Sequence, residues 1–175
     1  MCVMRKIVLA TFVAVPLLAS SPALGQTIPP RAHSVGLDGP RVGVTVLSPG
    51  VVDTLRERSI DIGPVVTQFG WQFEKQFFSS PGGLTAVTEW VALLGGLEQS
   101  VAIPSVTWMV GVRTPNGAEF GIGPNITPAG TALAIAAGVT LRSGVMNVPI
   151  NLAVVPSKAG TRVSVLSGFN LRGRR

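Results

Sequence analysis

Three glutamates and two arginines interrupt stretches of this chain that otherwise alternate between apolar and small or amide side chains: Glu74, Glu89 and Glu119, with Arg113 and Arg142. Two carboxylates at a fixed separation can work as acid and base on a glycosidic bond, and Glu74 with Glu89 is the pair that invites this reading. The cheaper reading is a mutually neutralising network, because buried charge is tolerated when it is paired. Other chemistry is poorly served. The single histidine, His33, would have to act as an acid or base from a Pro/Gly-rich stretch, where a solvated residue is expected. His and carboxylates do not cluster at ligand spacing, so neither a metal nor a cofactor is expected. Gly82-Gly83, Gly95-Gly96 and Gly121-x-Gly123 do not lead a strand into a helix, and they read as turns and bends rather than phosphate cradles. The expectation is a protein that is not an enzyme.

Most of the charged and amide residues must be positioned by strands. Residues 67–78 read T-Q-F-G-W-Q-F-E-K-Q-F-F, with Gln68, Gly70, Gln72, Glu74 and Gln76 on one face and Phe69, Trp71, Phe73 and Phe77 on the other. A strand turns successive side chains to opposite faces, so this period makes a ribbon with one oily and one wet side. Weaker versions recur, and the strands expected are 42–47, 65–78, 85–94, 103–114, 118–124, 131–142, 146–155 and 161–171. Turn signals separate them, among them Pro115-Asn116-Gly117, whose Asn-Gly tolerates the positive φ of tight turns. Only 51–59 has helical spacing, with Val51, Val52 and Leu55 against Asp53, Arg56, Glu57 and Arg58. The spacing predicts an all-β fold: an antiparallel up-and-down barrel of about eight strands, with one short helix in the first long connection.

On such a barrel Gln72, Glu74, Glu89, Arg113, Glu119 and Arg142 are the expected polar network of the lumen, joined by Gln68, Gln76, Thr107, Asn147, Asn151, Arg162 and Asn170, with Glu98 at a loop boundary. A small barrel is filled by its side chains, so the network would act as a plug. Phe69, Trp71, Phe73 and Trp108 belong to the opposite, lipid- or ligand-facing side. Periodicity does not tell inside from outside. A soluble barrel would place the oily face inward, with Trp71, Trp90 and Trp108 lining its interior.

The ends and the composition frame this domain. Arg5 and Lys6 precede an apolar run, and Ala23-Leu24-Gly25 offers small residues for cleavage, so 1–25 reads as a signal peptide. The one cysteine, Cys2, lies within it. Residues 26–40 read as a flexible arm, 41–172 as the barrel and 173–175 as a basic tail. Loss of Arg5 and Lys6 would lower the formal charge from +6 to +4. The arginines are scattered rather than gathered on a stripe with aromatics, which argues against a nucleic-acid partner. No apolar run after residue 25 suits a membrane helix, so entry into lipid would require a closed set of strands.

The stretches Q-F-G-W-Q-F-E-K-Q-F, G-G-L-E-Q, V-G-V-R-T-P-N-G-A-E-F-G-I-G-P-N and N-V-P-I-N-L-A-V-V-P resemble small secreted bacterial proteins of unassigned function with outer-membrane-type β-barrels. The chain is similar to the OmpA/OmpX-size class in strand count. The resemblance implies an outer-membrane location with lipid as a partner, a structural or surface role in the envelope, and assembly by the barrel-assembly machinery, for which Phe169 is the aromatic nearest the C-terminus. The alternative is a soluble periplasmic barrel that binds an apolar small molecule or a partner protein.

Overall fold

A computed structural model describes residues 36–171. The signal peptide expected at 1–25, the arm to residue 35 and the basic tail lie outside the described residues. In chain order the elements are β1 Gly39–Leu47, α1 Pro49–Glu57, β2 Val65–Ser79, β3 Thr85–Gly95, a 3-10 turn at Leu97–Gln99, β4 Ile103–Arg113, β5 Ala118–Thr127, β6 Gly130–Ser143, β7 Met146–Ser157, β8 Gly160–Gly168 and a two-residue β9, Asn170–Leu171. Each of the eight long strands pairs antiparallel with the next, and β1 pairs with β8 from Arg41↔Gly168 to Leu47↔Arg162. The sheet is a closed eight-stranded barrel with one short helix between β1 and β2, as the alternation predicts.

Three boundaries differ from expectation. β1 begins at Gly39, and Leu37 before it is fully buried, so the arm does not extend to Pro40. Asn170 Nδ2 fixes this segment by donating to the carbonyls of Gly36 (2.7 Å) and Asp38 (3.0 Å). β5 runs through Pro124 to Thr127, where a turn was expected. Proline has no N–H to give, and the β4–β5 pairing lapses there, between Thr107↔Asn125 and Val110↔Ile122. The last expected strand is split: β8 stops at Gly168, and β9 pairs instead with β7.

Glycine makes the curvature possible. A Cβ on Gly70 would sit 1.9 Å from the carbonyl oxygen of Ala92, and one on Gly123 would sit 1.9 Å from that of Trp108. Both glycines share the inward face with their polar neighbours, so each lets one strand fold closely against the next where the wall bends. One end of the barrel is covered by α1. Pro49 supplies a fixed φ for its first turn, and Val51, Val52 and Leu55 form the stripe that packs on Leu47, Ile62, Val66 and Ile103. Ser48 fastens this cap to β8: its N–H donates to Thr161 O (3.0 Å), and its Oγ accepts from Thr161 N (2.9 Å).

Candidate functional site

The lumen has two halves of different chemistry. Toward the end where β1 begins lies a charged layer. Arg113, the last residue of β4, donates from Nη1 to Glu74 Oε1 (2.7 Å), from Nη2 to Glu74 Oε2, and from Nε to Glu119 Oε1 (2.8 Å). The β4–β5 register places Arg113 directly opposite Glu119, and Glu74 reaches it from β2, one strand beyond β3. Glu119 Oε1 also accepts from Thr140 Oγ1 (2.7 Å). The Glu74 side chain is 0% exposed and that of Arg113 is 6%, so this is a fully desolvated, bidentate pair, the strongest geometry available to a guanidinium and a carboxylate. Beside it, Arg41 donates from Nε to Gln72 Oε1 (2.9 Å) and from Nη2 to Leu37 O (2.7 Å). Glu89 is buried in the same layer, cross-strand from Glu74. With Glu74 clamped by Arg113 and hidden from solvent, the Glu74–Glu89 pair has no open face for a sugar.

Between this layer and α1 the lumen holds a cavity of about 80 Å³. Val91, Leu93, Met109 and Leu166 give it apolar walls, closed above by Leu47, Val51 and Leu55. Hydroxyl and amide groups rim it and are mostly satisfied among themselves: Asn125 Nδ2 donates to Ser105 Oγ (2.9 Å) and Thr107 Oγ1 (2.8 Å), and Thr45 Oγ1 donates to Gln68 Oε1 (2.6 Å). Arg162 is the one charged group that lines it. That residue is 6% exposed, and its cross-strand neighbours are Leu47 on β1 and Val155 on β7, both buried and apolar. Nη1 donates to Thr127 Oγ1, while Nε is buried without a hydrogen-bond partner. Among the described residues the buried ion pairs are those of Arg113, and none involves Arg162.

The outer wall reverses this pattern. Phe69, Trp71, Phe73 and Trp108 all point outward, each between 40% and 55% exposed. Trp90 lies beside Trp108 with ring centroids 6.1 Å apart, and Trp71 lies 6.5 Å from Phe73. Valine, leucine and isoleucine continue the surface over β4 to β8 and β1. Among the described residues Lys75 is the one charged side chain on the outward face of the eight strands. On β4 this face runs from Pro104 to Val112, which is roughly 27 Å along the strand at ~3.3 Å per residue.

Of the expected lumen set, Gln72, Glu74, Glu89, Arg113 and Glu119 meet in one layer. Arg142 does not. It shares the inward parity of Thr140 but lies past the rim, exposed, and donates from Nη2 to Pro115 O (3.2 Å) in the turn before β5. Trp71, Trp90 and Trp108 do not line the interior. Gln68, Thr107, Asn147 and Arg162 are buried as expected. Missed were Arg41, Thr45, Asn125, Thr140 and Ser164; extending the alternation back from Val42 would have found the first. Glu98 is not luminal. Its carboxylate accepts from Thr67 N (2.8 Å) and Thr67 Oγ1, and these bonds hold its pKa down to about 2, below the ordinary 4.5. His33 lies outside the described residues, among which no group of three or more His, Cys, Asp or Glu could hold a metal ion. No family model, no curated protein and no solved structure matches the chain.

Proposed function

We propose that this barrel sits in a lipid bilayer, the outer membrane of a bacterial envelope, and that it is a non-enzymatic component there which holds a small apolar molecule in its lumen. The observation that carries the lipid seating is the inversion of the wall: charge and amide groups inward, and an outward face with a single lysine. In water such a continuous apolar surface would be a serious liability; in lipid it is the natural exterior, and closure leaves no strand edge unpaired. A face of roughly 27 Å, on strands tilted by about 40°, stands roughly 20 Å tall, close to the band of small outer-membrane barrels. Among the described residues no helix is long and apolar enough to cross a membrane. The charged layer closes the lumen with side chains, which favours a held ligand over a conducting pore.

Cell fractionation followed by gel migration with and without boiling tests the seating. Recovery in the outer membrane with a heat-dependent shift is expected, as is a loss of about 2–4 kcal/mol for Val110→Arg at the middle of the wall. Recovery as a detergent-free periplasmic monomer would overturn the lipid seating. A specific observation, the cavity beneath α1, would then favour the second reading, a soluble barrel that binds an apolar small molecule.

A further inference from the structure

We infer that the cavity beneath α1 takes a small apolar molecule bearing a carboxylate, with Arg162 receiving the carboxylate, a proposal that rests on the ligand-holding reading above. A guanidinium keeps its charge throughout the physiological range. Proteins that bury one pair it, because an isolated buried cation is strongly unfavourable. This fold follows that rule at Arg113 and departs from it at Arg162, where among the described residues one hydroxyl is the partner and Nε is left over. No carboxylate lies within 4.0 Å of Arg162 among the described residues. Both lateral neighbours, Leu47 and Val155, are apolar, so the register supplies no acid from the chain.

On this reading the anion that no described residue gives Arg162 belongs to a ligand, and the cavity says what else that ligand carries. A free inorganic ion would give up its water for walls of Val91, Leu93, Met109 and Leu166, and would gain one guanidinium and a rim of hydroxyl and amide groups that already bond mostly to one another. An apolar tail suits those walls, and the planar donor fork suits a carboxylate. Since one water needs roughly 10–15 Å³ of such space, a cavity of about 80 Å³ has room for roughly five to eight groups of that size, the bulk of a six-carbon acid.

The test is equilibrium binding of hexanoate, hexan-1-ol, hexylammonium and inorganic phosphate to the purified full chain in detergent, with protein-free micelles as blank. Hexanoate should bind once per chain and at least tenfold more tightly than the other three. Arg162→Met should bring hexanoate to the level of hexan-1-ol while leaving the alcohol unchanged; Arg142→Met, at the other rim, should change neither. If hexan-1-ol binds as well as hexanoate to the unaltered chain, the carboxylate assignment is overturned and the apolar cavity stands. If neither binds, the ligand-holding reading fails and the assignment with it. Phosphate binding as tightly as hexanoate would also overturn it. Should Arg162→Met fail to give the heat-dependent gel shift of a folded barrel, Ala134→Leu, which fills the cavity without touching the charge, must abolish binding of both six-carbon compounds.

Discussion

Arg113 and Arg162 are the same side chain, similarly buried, at opposite ends of one lumen, yet among the described residues only the first has carboxylates within 4.0 Å. Register decides the difference. Arg113 faces Glu119 across β4 and β5, whereas Arg162 faces Leu47 and Val155. The charged end is an internal, self-sufficient structure. The capped end contains a cation that the described residues satisfy with one hydroxyl, beside an apolar-walled cavity. A barrel of this size can thus divide its interior, one half supplying rigidity and the other supplying a place for something else.

The contrast is open to attack by substitution. Arg113→Met should be the most damaging change, with a loss of about 3–5 kcal/mol, because it strands two buried carboxylates; denaturant unfolding of the refolded barrel measures it. Gln72→Leu comes next. It deprives Arg41 Nε of its acceptor, and the same assay should show a loss of about 1–3 kcal/mol. Arg162→Met should shift stability by no more than about 1 kcal/mol, since the lost hydrogen bond to Thr127 is offset by removal of an uncompensated charge. A loss as large as that of Arg113→Met would erase the distinction between the two ends.

The smallest effect lies outside the lumen. Glu98 has a folded pKa depressed to about 2, so the stability its bonds to Thr67 contribute is complete above its ordinary value near 4.5 and is lost as pH falls from there through about 2. Glu98→Gln should flatten that acid limb of the unfolding profile and leave neutral-pH ligand binding unaltered.

The strands and the helix were legible because their signals are local: the parity of 67–78, the Asn-Gly turn and the stripe of Val51, Val52 and Leu55. The sidedness of the wall was not, since alternation is identical for a barrel in water and for one turned inside out. Arg142 shows a further limit, because parity says which face a residue shares but not whether the wall is still beside it. Arg162 was recognisable as luminal, but its lack of an anionic partner was invisible. That property belongs to the register with β1 and β7, which no window of sequence contains.

The pairing of β1 with β8 also has a consequence in time. Residue 41 cannot meet residue 168 until nearly the whole barrel domain has been synthesised, so any sheet formed before β8 arrives is open, with two bare edges. Contacts of such sequence separation slow folding and lengthen exposure to aggregation. Assembly of this molecule is therefore decided by β8: a chain released after Ser157 retains every preceding hairpin and still has no seam to close.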